Sequence, residues 1–423
     1  MLPFKPPLRA LMLFVAVSTA FLYFALYRHD LDYITTKILP LSKTDKLPEG
    51  TNLDDKATFI QAFLDHEIDG PFDPEPIQKV CASKKWNDNL TIVCGAPQGD
   101  WERAFVVPEV VVRDADDLSK LTTNNTVPFD YFFDLAHFKA ALKSACPQMA
   151  IHDTAPGDLA LNPPIHLSPQ HLIPEVFAGT RNGAPLSTRG SPRTPTAPGR
   201  STISLATPLL NYPIYSDSLP FLSSFGRVLR IRQPCRRLAA AAVHAMRTKH
   251  NIPITPIGIT PSAFFGAHLR VAADATKAGW TGYDAQASFL LDFADEVKLK
   301  TLYVTSESKP AETFRGDAAK RGAVALAKED LLDEAETKAL RAMTWDQQAL
   351  VDYEVLLRAT AFGGIELSSF AWNVALRRHV VSRMGRKAWE GVKPGGGMNF
   401  KDEYSRLRGE KGAYPLFVEA MWP

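Results

Sequence analysis

Cysteine is scarce. Four residues in 423 (Cys81, Cys94, Cys146 and Cys235) cannot build a disulfide scaffold. None forms a CxxC pair or stands near a histidine at zinc-ligand spacing, which argues against a structural zinc site. Excess charge is also absent. Lys plus Arg is 48 against 46 for Asp plus Glu, so a net of +2 gives no global field to gather nucleic acid. Also missing are a nucleophile elbow, a Walker A loop, a GxGxxG turn and an HExxH pair, which removes the signatures of several large enzyme classes. The Asp-Xaa-Asp pattern occurs only as Asp114-Ala115-Asp116, in a polar run that reads as a solvated turn. The 32 prolines cluster and have no period, so collagen-like and repeat architectures are excluded.

What is present is an ordinary globular composition, 45% apolar and 22% charged, long enough for two or three domains. It is preceded by one uncharged run. Ala10 to Tyr27 (ALMLFVAVSTAFLYFALY) is 18 residues without a charge. As a helix it would span about 27 Å, close to the hydrocarbon thickness of a bilayer. Lys5 and Arg9 precede it, so residues 1–9 are expected in the cytosol, 10–27 as a signal-anchor and 28–58 as a stem facing a lumen. Phe-Ala-Leu-Tyr-Arg at its end is a poor signal-peptidase site. The sequons at Asn89 and Asn124 agree with a lumenal chain. Lumenal cysteines can oxidise; Cys81 and Cys94 are close enough in sequence for a local bridge, although spacing does not fix the pairing.

Beyond the stem, apolar periodicity predicts a helix over Ala57–His66 and strands at Leu90–Cys94 and Ala104–Val112, the latter interrupted by Pro108. From about 153 to 220 the chain is rich in Pro, Ser and Arg (Ser187–Arg200 is STRGSPRTPTAPGR), as expected of a surface insertion. Strands are expected at Val228–Arg232, Ala263–Arg270, Thr301–Ser306 and Ala323–Leu326. Helices are expected over Arg237–Thr248, Asp284–Lys298, Ala311–Arg321, Ala349–Arg358 and Ala371–Arg378. This alternation predicts βαβ units and a parallel sheet, whose ligands bind beyond the carboxyl ends of the strands. His268, Arg270, Ser306 and Ser308 fall on that rim. His268 and Arg270, two apart, can share a face, and a guanidinium is a bidentate donor suited to phosphate. A structural Arg270–Asp274 ion pair is the alternative. Gly363-Gly364 reads as a tight turn. Ser368 and Ser369 follow at a helix start, a place for an anion or simply a helix cap.

Three stretches, HLRVAAD (268–274), TLYVTSES (301–308) and VDYEVLLRATAFGGIELSSFAWNVALRR (351–378), together resemble the protein O-fucosyltransferase family, especially its fungal membrane-anchored members. The match runs from about Phe221 to Arg378, under half the chain. The resemblance implies an α/β, GT-B-like pair of Rossmann-like halves, here 59–220 (incomplete, with the insertion) and 221–423. It implies inverting transfer of fucose from GDP-fucose to a hydroxyl of a protein or glycan, with no metal or other cofactor and no nucleic acid partner. The setting would be the Golgi or endoplasmic reticulum membrane. Arg270 would grip the β-phosphate and assist the leaving GDP. His268 and Asp352 would touch the guanosine, Ser368, Ser369 and Phe370 would cover phosphates and base, and Asp274 would orient the Arg270 loop. One departure stands out. The family follows its first strand with a Gly-rich turn, an Asn and a helix, whereas Cys94 here leads through Gly95-Ala-Pro-Gln-Gly99 into Phe105-Val-Val. About one helix is missing. Either the chain lacks an exon, or the turn is lost and with it transfer, which makes an inactive lumenal binding protein the alternative.

If 10–27 is an anchor, the protein stays in membranes through an alkaline carbonate wash. Protease outside sealed microsomes then removes only the N-terminal tail. Release of a shortened, soluble chain into the lumen would contradict this.

Overall fold

The computed structural model describes residues 47–48, 50–68, 70–82, 90–94, 129–149, 165–167, 201–205, 219–277, 279–382 and 400–409. The span 10–27, the sequons at Asn89 and Asn124, Asp114-Ala115-Asp116, the expected strand at Ala104–Val112, the segment after Cys94 and Ser187–Arg200 lie outside these residues. Among the described residues no helix is long and apolar enough to cross a membrane. The chain divides into two units, Met1–Glu49 and Gly50–Pro423, and all the helices and strands named below belong to the second.

The architecture is mixed α/β with two sheets. A small sheet is formed by β1 (Leu90–Cys94), β2 (Ile165–Leu167) and β3 (Ser201–Leu205), all parallel, with β3 in the middle. Two of its strands fall inside the Pro-rich segment, for which the sequence suggested no strands. Short apolar or β-branched runs between proline clusters suffice: Ser201–Leu205 pairs with Leu90–Cys94, and Ile165–Leu167 pairs with Ser201–Leu205.

The larger sheet has the order β6-β5-β4-β7-β9-β8, with β4 at Phe265–His268, β5 at Thr301–Thr305, β6 at Val324–Leu326, β7 at Ala361–Ile365, β8 at Phe400–Lys401 and β9 at Ser405–Arg408. All neighbours are parallel except the edge pair β8–β9. The chain goes outward from β4 to β5 and β6, then returns to the other side of β4 for β7. Parallel neighbours need crossovers, and helices supply them: α7 (Tyr283–Glu296), α8 (Ser308–Lys320) and α11 (Trp345–Leu357) each join two strands. Alternation along β4 and β5 divides the core. Phe265, Ala267, Leu302 and Val304 pack with Leu290, Phe293 and Phe314 of α7 and α8. Tyr303 and Phe362 face Val355 and Leu356 of α11, together with α5 (Gln233–Lys249) and α12 (Ser369–His379).

Helix α1 (Lys56–Asp65) belongs to this second layer. Asp55 caps it by accepting from the Thr58 N–H, and Phe59 and Phe63 are fully buried with α5. Arg236 of α5 closes its far end, donating to the carbonyls of Phe63, Leu64 and His66 and pairing with Glu67 at 3.1 Å. A cation satisfying the last carbonyls of a helix is favoured both by hydrogen bonding and by the helix dipole.

Two expectations are corrected. Val228–Arg232 is not a strand; only Ile231 pairs, as an isolated bridge to Phe133. Gly363-Gly364 is not a turn but lies inside β7. A Cβ on Gly363 would meet Leu290 Cδ2 at 2.6 Å, and one on Gly364 would meet Ala371 at 2.9 Å. The pair exists so that helices can approach both faces of the strand. The disulfide pairing, which spacing left open, is Cys81 to Cys146. Cys81 lies on α2 (Glu75–Ala82) and Cys146 ends α3 (Leu135–Ala145), and the two meet beside Ile77, Ala145 and Val228 in a small separate core. Cys235 is a free, buried thiol pushed up to about 11 by desolvation.

The bridge closes a separation of 65 residues, which in the chain-entropy account is worth about 4 kcal/mol. Peptide mapping without reduction should recover Cys81 linked to Cys146. Replacing both by serine should lower unfolding stability by about 2–4 kcal/mol. A Cys81–Cys94 peptide would refute the pairing.

Candidate functional site

The order of the large sheet creates a switch point. At β4 the chain direction across the sheet reverses, and the crevice between the carboxyl ends of β4 and β7 is where such sheets hold ligands. β4 and β5 end there in polar residues, His268 and Thr305 (followed by Ser306), and β7 ends in Ile365 with Ser368 three residues further on.

His268 joins these ends. Its Nδ1 lies 3.2 Å from Thr305 Oγ1 and its Nε2 lies 3.2 Å from Ser368 Oγ. The imidazole is 8% exposed and packs 4.8 Å from the Phe370 ring, which meets Tyr353 edge-on at 6.0 Å. Burial first, and the nearby Arg270 charge second, push its pKa down to about 3. It is therefore a neutral ring flanked by two hydroxyls, each able to donate or accept.

Ser368 is the N-cap of α12. Its hydroxyl accepts from the Ala371 N–H at 3.3 Å while facing His268. Ser369 is exposed and Phe370 half-buried, so the first turn of an eleven-residue helix opens onto the rim. Arg270 is partly buried, two residues past β4, with its guanidinium 5.8 Å from the Trp280 ring. Ser306 Oγ is buried with no hydrogen-bond partner among the described residues. Such an atom in a crevice suits a bound polar ligand. Ser308 begins α8 on the same rim.

The structure thus brings His268, Arg270, Ser368, Ser369 and Phe370 to one edge. Asp274 lies in a short helix, α6 (Ala273–Lys277), and its side chain is outside the described set. Asp352, on α11, is 7% exposed and accepts from Tyr303 Oη and from Lys328 Nζ, both at 2.6 Å. Burial raises its carboxyl above the usual range, opposed by Lys328 and Tyr303. With an oxygen on each partner it ties β5 to the segment after β6. Thr305, Trp280, Gln286 and Lys328 were not singled out from sequence. Gln286 could have been. It stands four residues before Leu290 on the apolar stripe of its helix, a polar residue where burial is required. Among the described residues no group of three or more His, Cys, Asp or Glu side chains is placed to hold a metal ion.

No family model matches the sequence, and no curated protein matches it. Solved structures similar to the chain include POFUT1 in complex with GDP, 12% identical, covering 69% of this chain and 95% of that one, with a TM-score of 0.36. POFUT1 in complex with GDP-fucose is 11% identical, with coverages of 70% and 95% and a TM-score of 0.35. At that similarity the neighbours say nothing of this chain's chemistry, which rests on its own residues.

A histidine with its folded pKa near 3 binds its proton less well than the unfolded chain does. Its contribution is complete above its ordinary pKa of 6.5 and is lost as pH falls from there towards 3. Stability should fall by up to about 1.4 kcal/mol per pH unit from this group in that window. Urea unfolding between pH 7 and pH 4 should show a shallower pH slope for His268→Gln than for the wild type. Equal slopes would mean that His268 is not held neutral.

Proposed function

We propose that this chain is a lumenal, membrane-anchored glycosyltransferase of GT-B-like form. It would bind GDP-fucose at the β4–β7 switch point and transfer fucose, with inversion, to a hydroxyl of a protein or glycan. One observation carries the reading. The Arg270 loop, the neutral His268 and the helix start Ser368-Ser369-Phe370 meet at one strand edge, and these belong to the stretches by which the sequence resembles the protein O-fucosyltransferases. The Cys81–Cys146 disulfide supports an oxidising compartment such as the Golgi or endoplasmic reticulum lumen.

The chemistry follows from charge. Breaking the bond between the anomeric carbon and the β-phosphate oxygen leaves negative charge on GDP. A guanidinium can meet it with two parallel hydrogen bonds, and the free N–H groups of the α12 start add a second positive end. A neutral His268 adds no competing cation, and a hydrogen bond from it to sugar, phosphate or base would replace the one its ring makes with Thr305 or Ser368. Ser369 and Phe370 would close over the nucleotide, and Asp274 would steady the Arg270 loop. The role given to Asp352, contact with the base, requires the base to reach a carboxylate now shared by Tyr303 and Lys328.

The second reading, a binding protein on the same scaffold without transfer activity, is favoured by the missing Gly-rich turn after Cys94. Both readings keep the nucleotide. Arg270→Ala should therefore weaken GDP binding by about ten- to a hundredfold, the range for losing a charge-assisted contact. Arg270→Lys should restore only part of it, because an ammonium lacks the planar fork. Calorimetry with GDP, ADP and UDP checks this. Equal affinity for the three, or binding untouched by Arg270→Ala, would refute the site. GDP binding without fucose transfer would select the second reading.

A further inference from the structure

The peptide that carries Arg270 is held by a side chain from the neighbouring helix. β4 ends at His268, and Leu269 N–H still donates to the Thr305 carbonyl at 3.0 Å, one residue past the strand. At Arg270 the next pair of bonds comes from Gln286. Its Oε1 accepts from Arg270 N–H at 2.9 Å, and its Nε2 donates to the Arg270 carbonyl at 3.0 Å. A primary amide presents an acceptor and a donor side by side in one plane, so here it acts as one rung of a missing strand. The same Nε2 donates to the Thr281 carbonyl at 2.6 Å. Thr281 follows Trp280, the ring beside the Arg270 guanidinium. One side chain thus ties the backbone of Arg270 to the loop that carries the aromatic face next to its charged end.

Gln286 is wholly buried (0% exposed), on the second turn of α7 among Ala287, Leu290 and Phe293. An apolar residue of similar length would fill that place and leave three backbone groups unsatisfied, which is costly in a buried setting. Amide and peptide are therefore matched to each other.

We infer that Gln286 is a positioning residue for nucleotide binding: it fixes the Arg270 peptide so that the guanidinium is presented to the diphosphate without having to be ordered by the ligand. The inference rests on the reading of Arg270 as the phosphate ligand. Preorganisation of this kind raises affinity because the ordering cost is met before binding.

A double-mutant cycle on the full chain tests it, with GDP affinity read by calorimetry. Gln286→Met should weaken GDP by about tenfold in the wild-type background, and by less than about twofold once Arg270 is alanine, since its effect travels through that guanidinium. Guanosine, which has no phosphate, should bind equally to wild type and Gln286→Met. Should Gln286→Met not fold, Gln286→Asn carries the same cycle, because it adds no charge and draws the amide back by one methylene from the Arg270 peptide. The same loss in both backgrounds, no loss in either, or an equal loss for guanosine would overturn the inference while leaving the nucleotide site standing. A wild-type protein that does not bind GDP would overturn both.

Discussion

Arg378 is the interaction on which the site's geometry depends. Its guanidinium is fully buried and donates to the carbonyls of Leu356, Leu357 and Ala359, to those of Thr360 and Tyr404, and to Ser405 Oγ. Leu356 and Leu357 end α11, and Ala359 lies two residues past it. Thr360 leads into β7, and Tyr404 and Ser405 lead into β9. Desolvation lowers its pKa to about 10, which leaves it charged at neutral pH. A buried cation is tolerable only when its hydrogen-bonding capacity is used, and here all three nitrogens are engaged. One side chain on α12 thereby locks the exit of α11, the entry to β7 and the register of β9 together. Ser368 and Phe370 stand at the other end of that same helix.

The rest of the site is built by comparable tethers between strand ends that are far apart in sequence. His268 spans from β4 to Thr305 on β5 and to Ser368 before α12, separations of 37 and 100 residues. Asp352 joins Tyr303 to Lys328. Close packing makes the tethers reachable. Gly266 would place a Cβ 2.8 Å from Leu356 Cδ2, so α11 lies directly on β4 only because that position has no side chain. With Gly363 and Gly364 doing the same on the two faces of β7, the central strands of the sheet can carry helices close enough for side chains to bridge the rim.

Much of this was legible in the sequence, for reasons that are local. Asp284–Lys298 and Ala349–Arg358 show helical periodicity, and Thr301–Ser306 is a β-branched run, so the alternation and the parallel sheet followed. The rim position of His268 and Arg270 needed only the rule that ligands sit past the strand ends. What was not legible depends on partners remote in the chain. The Cys81–Cys146 pair bypasses Cys94, which is nearer in sequence, because α2 and α3 pack together. The Gly pair reads equally well as a turn or as a crowded strand until the helices on both faces are known. Asp352 reads as an acid beside a ligand, yet its carboxylate is shared by two residues 49 and 24 positions away. Strands at Ile165–Leu167 and Ser201–Leu205 hid in a segment whose composition argued against them.

The arginines of this molecule divide by what surrounds them, and the division bears on which of them can meet a ligand. Arg236, Arg358 and Arg378 are each at most 2% exposed and donate to backbone carbonyls, to Ser405 Oγ, or to Glu67 and the buried Glu354. Any anion reaching them would have to displace bonds on which α1, α11 and β7 depend. Arg270 differs in kind. Its peptide is clasped by Gln286, and its charged end lies 5.8 Å from the Trp280 ring. Holding the backbone in place by a buried amide keeps the fold independent of what the Arg270 head group meets. The neutral state of His268 fits the same logic. A second positive charge this close to Arg270 would be destabilised in the ligand-free crevice, whereas a neutral ring between two hydroxyls keeps the rim intact in the absence of an anion.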